Sequence, residues 1–138
     1  MLRATEENWS MVKYGFDHIH LRTPDIEATA AWYERVLGAQ IIRSMQNGKP
    51  RVDMKVGGTD IFLIATDAKS GPAPVAPYAG IDHFGFIVDD LDAAYADLKA
   101  KGVTFTMEPT QLRPEIRISF IRGPEEVSIE ILERKKAA

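Results

Sequence analysis

Three histidines occur in the 138 residues, at positions 18, 20 and 83, and there is no cysteine. An imidazole can relay a proton near neutral pH or offer a nitrogen lone pair to a metal ion. Without thiols, disulfides, thiolate metal ligands and a cysteine nucleophile are all excluded. A metal held by this chain must use imidazole and carboxylate groups, which suit iron, manganese, zinc, nickel or cobalt as divalent ions. Two of the histidines follow an aspartate, in Asp17-His18 and Asp82-His83.

That recurrence leads to the elements that must position these side chains. Sliding the chain against itself by 65 positions lays Phe16-Asp17-His18-Ile19-His20-Leu21 over Ile81-Asp82-His83-Phe84-Gly85-Phe86. Asp25 then meets Asp90, Ile26 meets Leu91, Ala28 meets Ala93 and Ala31 meets Ala96, and Gly38 corresponds to Gly102 after the loss of one residue. A weaker match at an offset of 68 lays Asp60-Ile61-Phe62-Leu63-Ile64 over Ser128-Ile129-Glu130-Ile131-Leu132. The chain is two diverged copies of one unit.

Each copy reads as strand, helix and three further strands. Alternating apolar residues predict first strands over about 15–22 and 80–88. A helix follows each, opened by Asp25 in one copy and by Asp89 or Asp90 in the other, with Gly38 and Gly102 suited to left-handed C-terminal caps. Further strands are expected over 39–46, 50–57 and 59–66, and over 103–107, 115–122 and 126–133, separated by Asn47-Gly48, Gly57-Gly58 and Gly123-Pro124. The resulting fold class is α+β: two tandem βαβββ modules forming a cup-shaped mixed β-sheet with helices outside. Module 1 covers about 15–66, a proline-rich linker 67–79 and module 2 about 80–133, within a single domain of 15–138. Residues 1–14 have no counterpart in the repeat and are expected to form an N-terminal arm.

Strand alternation sorts the side chains. Ile19 and Leu21, Phe84, Phe86 and Val88, and Val127, Ile129 and Ile131 should pack under the helices. His18, His20 and Arg22, His83 and Gly85, and Ser128 and Glu130 fall on the opposite face, which becomes the inside of a cup if the two sheets wrap toward each other. All three histidines lie on this face. His20 is open to several readings: a substitute metal ligand, a substrate contact, a general base, or a supporting hydrogen-bonded histidine. Gly85, its counterpart, should leave space opposite. Arg51 and Arg117 alternate onto the cup face and have two open readings, receipt of an anionic substrate group and a solvated strand edge. Trp32 and Tyr33 read as helix packing, and Asp17 and Asp82 as structural residues directed away from the cup.

The runs Phe16-Asp17-His18-Ile19-His20-Leu21, Pro24-Asp25-Ile26-Glu27 and Trp32-Tyr33-Glu34-Arg35-Val36-Leu37-Gly38 resemble the opening module of the vicinal oxygen chelate superfamily. Ile81-Asp82-His83-Phe84-Gly85-Phe86, Val88-Asp89-Asp90-Leu91 and Phe120-Ile121-Arg122-Gly123-Pro124-Glu125-Glu126-Val127-Ser128-Ile129-Glu130-Ile131 resemble its second module. The likeness covers roughly residues 15–133. That superfamily, with the glyoxalase/bleomycin resistance/dihydroxybiphenyl dioxygenase fold, includes glyoxalase I, methylmalonyl-CoA epimerase, fosfomycin-resistance transferases, extradiol dioxygenases and bleomycin-resistance proteins. The resemblance implies metal ligands at His18, His83 and Glu130, and it places Phe62 where the glyoxalase I and epimerase patterns carry a glutamate or glutamine. Two histidines and one carboxylate are similar to the set in extradiol dioxygenases and fosfomycin-resistance enzymes. The activity implied is chelation of vicinal oxygens of a small organic substrate at a divalent metal ion (Fe2+, Mn2+, Zn2+ or Ni2+), dioxygenase-like or lyase/isomerase-like. Glu130 and His20 are the expected catalytic groups, and His20, Phe62, Arg51 and Arg117 the expected substrate contacts. The competing class is a non-catalytic protein of the bleomycin-resistance kind that sequesters a drug or metabolite.

Composition bounds the partners. The apolar share is 45%, the charged share 27% and the net charge −3, as in ordinary globular domains. No concentrated basic surface is encoded, which argues against nucleic acid. No apolar run approaches the roughly 20 residues that span a bilayer, which argues against membrane insertion. The first ten residues carry acids where a secretion signal needs an apolar stretch, so a cytoplasmic location is expected. Open sheet edges and the resemblance together imply a homodimer acting on a small-molecule substrate.

Overall fold

A computed structural model describes residues 11–135. Residues 1–10, most of the expected arm, lie outside the described residues. The element order is β1 (His18–Thr23), α1 (Ile26–Leu37), β2 (Gln40–Gln46), β3 (Lys49–Val56), β4 (Thr59–Ala65), β5 (Phe84–Ile87), α2 (Leu91–Ala100), β6 (Phe105–Arg113), β7 (Ile116–Arg122) and β8 (Ser128–Arg134). The two βαβββ units form two four-stranded mixed sheets, ordered β1-β4-β3-β2 and β5-β8-β7-β6. In each, the first strand runs parallel to the last and the remaining pairs are antiparallel.

Local chemistry places the elements. Asp25 Oδ1 accepts from the Ala28 amide at 3.0 Å and Asp90 Oδ1 from the Ala93 amide at 3.1 Å, so Asp90 rather than Asp89 caps α2. Each such cap is worth about 1 kcal/mol. Both helices end as expected, with Gly38 at φ 70° and Gly102 at φ 75°. Asn47-Gly48 and Gly57-Gly58 turn their two-residue hairpins with positive φ at both positions. β6 is longer than the expected 103–107; it runs to Arg113 through several register shifts, and Pro109 is tolerated because β6 is an edge strand.

The helix-side faces of both sheets make one core. Ala30, Tyr33, Val52, Met54, Ile61 and Leu63 from module 1 join Leu91, Leu98, Ile121, Ile129 and Ile131 from module 2. Tyr33 is fully buried and meets Trp32 edge to face, as helix packing. The modules are clasped at the helix ends: Arg35 donates to the Lys101 carbonyl at 2.9 Å, and Lys101 donates to the Val36 carbonyl at 3.2 Å. No helix among the described residues is long and apolar enough to cross a membrane.

Arg117 does not face the cup. Its guanidinium bonds Asp92 at 2.9 Å and lies 3.9 Å from Glu133, a nearly fully buried carboxylate that accepts from the Leu91 amide at 3.0 Å. It belongs to the helix side, held there by charge at the start of α2. The open-face row of β7 is Ile116, Ile118 and Phe120, which pack with Leu132 in a small second cluster.

Gly57 sits on the seam between modules. A Cβ there would lie 2.6 Å from Phe86 Cδ1, on a backbone with φ +57°. Gly57→Ala should therefore cost about 2–4 kcal/mol in urea denaturation, from left-handed strain and overpacking together. Gly48→Ala, with φ +73° but open space, should lose only the backbone part, about 1 kcal/mol. Equal losses would show that the seam yields freely.

Candidate functional site

Parallel pairing sets the site. In module 1 the register His18↔Asp60 and His20↔Phe62 carries the first-strand histidines past the middle of β4. In module 2 the register Gly85↔Glu130 brings the residue just before β5, His83, beside β8. Ile61 and Leu63 are buried under α1, so Asp60, Phe62 and Ile64 point to the open face. Ile129 and Ile131 do the same for Glu130.

The module 2 half of the site has two donors close together. His83 Nε2 and Glu130 Oε1 are 3.7 Å apart, too far for a hydrogen bond. Phe120 meets the His83 ring edge-on, with centroids 4.8 Å apart. Gly85 does not leave an empty space, as the sequence suggested. A Cβ there would lie 3.3 Å from Glu130 Oε1, so the glycine makes room for that carboxylate.

The module 1 half is built around an aromatic ring. His18 stacks on Phe62 with centroids 4.4 Å apart, His20 meets the same ring edge-on at 5.9 Å, and the Arg51 guanidinium carbon lies 4.5 Å from its centroid. Arg51 faces the cup as expected and is held by Asp53 at 2.7 Å and by the Gln46 side-chain oxygen. Burial holds the His20 pKa below its ordinary value, helped by the nearby Arg51, His18 and Arg22 and opposed by Asp53.

Asp17 and Asp82 are not directed away from the site. Their carboxylates reach the neighbouring rings, with Asp17 Oδ2 2.6 Å from His18 Nδ1 and Asp82 Oδ2 2.7 Å from His83 Nδ1. Alternation could not locate them, because both precede the strands and their side chains are free to swing back. The signal available in the sequence was the repeated Asp-His pair itself.

The three expected ligands do not come together within one chain. Among the described residues no group of three or more histidine, aspartate or glutamate side chains is close enough to hold a metal ion. The histidines stand on two sheets that share no strand pairing. The donor chemistry nonetheless fits a divalent cation. His83 Nε2 and Glu130 Oε1 lie within the span of two bonds of about 2.1 Å, and His18 offers the same kind of nitrogen on the other sheet.

A family model described as the Glyoxalase/Bleomycin resistance protein/Dioxygenase superfamily matches residues 15–131. The chain belongs to this superfamily. Among curated superfamily relatives, human mitochondrial methylmalonyl-CoA epimerase is 26% identical over 80% of this chain, which spans 65% of that protein. A probable chloroplastic lactoylglutathione lyase of Arabidopsis thaliana is 29% identical over 85% of this chain, which spans 35% of it. Of superfamily structures, a glyoxylase/bleomycin resistance protein/dioxygenase domain from Frankia shares the fold with TM-score 0.73 at 22% identity, covering 90% of this chain and 100% of that one. A fosfomycin resistance protein from Listeria monocytogenes shares it with TM-score 0.69 at 19% identity, covering 90% of this chain and 96% of that one.

Titration of the histidine rings by NMR in EDTA-treated protein should show His20 with a midpoint below 6.5. Arg51→Gln should move that midpoint upward, because it removes a nearby positive charge and frees Asp53. A His20 midpoint at or above the ordinary value would contradict this arrangement.

Proposed function

We propose that this chain is a metal-dependent superfamily enzyme of the lyase/isomerase type, acting on a small oxygen-rich organic substrate at a site completed by a second copy of the chain. The observation that carries the reading is the His83–Glu130 pair. With a ring proton on Nδ1 facing Asp82, Nε2 of a neutral His83 and Glu130 Oε1 would meet at 3.7 Å as two lone-pair donors, which a cation would draw together. Two open edges support the second copy. Among the described residues β1 and β5 are both edge strands, and the apolar residues just ahead of them, Phe16 and Ile81, are 78% and 79% exposed. Setting β1 of one copy beside β5 of the other would bring His18 to the partner copy's His83 and Glu130.

His18, His83 and Glu130 would hold the ion, which when bound would polarise substrate oxygens as a Lewis acid. The chain's own residues supply the rest. His20, on the same face as His18, accepts or returns a proton at a substrate carbon, and Glu130 is the second acid–base group. Phe62 and Phe120 flank the two imidazoles as apolar walls for the substrate, while Arg51 at the rim of Phe62 orients an anionic substituent. The lyase/isomerase reading follows the relatives, one named an epimerase and another a probable lactoylglutathione lyase. Phe62 departs from the glutamate or glutamine of those patterns, and two histidines with one carboxylate also suit oxygen chemistry at iron, so a dioxygenase is the second reading.

Elemental analysis of the purified protein should find close to one divalent ion per chain, with His83→Ala reducing it at least tenfold while the fold survives by circular dichroism. A metal-free protein that still bound aromatic ligands would turn the reading to sequestration.

A further inference from the structure

The two modules have diverged at most positions of the open face. His20 is matched by Gly85, Phe62 by Glu130, and Asp60 by Ser128. One construction survives on both sides: an aspartate immediately before the histidine, with its Oδ2 2.6 Å from Nδ1 in module 1 and 2.7 Å from Nδ1 in module 2. The surroundings of the two rings differ, since His18 stacks on Phe62 and His83 meets Phe120 edge-on. Ring packing therefore does not explain why both imidazoles are held by the same nitrogen. A requirement on the other nitrogen does.

We propose that Asp17 and Asp82 are positioning residues that lock His18 and His83 in the tautomer protonated on Nδ1, so that each Nε2 keeps its lone pair for a cation. The inference rests on the metal-site reading above for what the lone pair serves, but the locking itself does not need the metal. Neutral imidazole carries one proton on either nitrogen, and a carboxylate at 2.6–2.7 Å from Nδ1 accepts only if the proton is there. The carboxylate also fixes the ring's orientation, and so the direction in which Nε2 presents its lone pair. For His83 the consequence is direct: with the proton on Nδ1, Nε2 faces Glu130 Oε1 at 3.7 Å as two acceptors rather than as donor and acceptor. The other tautomer would let Nε2–H donate to Glu130 and close the gap by which a cation enters. The aspartates thus keep the ligand pair from satisfying itself.

Long-range nitrogen–proton NMR on the EDTA-treated protein reads the tautomers without metal or substrate, and Co2+ titration calorimetry reads affinity. The wild type should show the Nδ1–H form at both His18 and His83. Asp82→Ala should shift His83 alone toward Nε2–H, Asp17→Ala should shift His18 alone, and Asp82→Asn, which keeps an acceptor oxygen, should retain much of the original form. Each alanine variant should bind Co2+ about 10–100-fold more weakly than the wild type. Both aspartates are exposed, so these variants should keep the fold. If the tautomers shift but the wild type binds no Co2+, the locking stands and the metal reading falls. Tautomers unchanged by the alanine variants, or Nε2–H forms in the wild type, would overturn the inference.

Discussion

An edge strand cannot satisfy all its backbone groups within its own sheet, and here both strands that lead from a candidate ligand are edges. Among the described residues β1 pairs only with β4, and β5 only with β8. That single constraint organises the rest. It leaves a sheet edge beside His18 and another beside His83, with apolar Phe16, Ile81 and Ile87 exposed next to them. A sheet in this condition invites another strand. The chain has used its helix-side faces to make its core, so the open faces and open edges are what remain for a second copy and for a ligand.

The open faces differ in character. Module 1 presents charge: Arg51 with Asp53, Lys55 with Asp60, and the histidines around Phe62. Module 2 presents an apolar floor of Ile116, Ile118, Leu132 and Phe120, with Glu130 rising beside His83. Diverged copies of one unit have thus supplied different halves. One offers two donors already near each other, and the other offers a nitrogen, a nearby imidazole and an arginine. Neither half is a metal site alone, which follows from the separation of the two sheets rather than from any shortage of ligands.

The repeat, the strand–helix order, the two aspartate caps and the glycine ends were legible in the sequence because each rests on local chemistry. The direction of the histidines and Glu130 was legible too, since alternation of core-packed residues such as Ile19 and Leu21 fixes one face and thereby the other. Arg117 was not. β7 has apolar residues on both faces, so alternation could not choose between them, and the choice was made by Asp92 and Glu133 from other elements. Gly85 read as a vacancy because the sequence did not show that Glu130 lies directly across from it. The aspartates before the histidines escaped for a different reason: a residue outside a strand is not bound by the strand's period. The separation of the two sheets was beyond the sequence, because an internal repeat reports what each unit is and not which neighbour it pairs with.

Mixing two inactive variants tests the account most directly. If one site draws His18 from one copy and His83 with Glu130 from another, a pair of His18→Ala and His83→Ala chains contains one intact site and one doubly damaged site. After the two variants are mixed and allowed to exchange subunits, metal binding should return to about a quarter of the wild-type level, half of the dimers being mixed and half of their sites intact. Metal content that stays at the level of the separate variants, after subunit exchange has been verified with tagged chains, would contradict a site shared between copies.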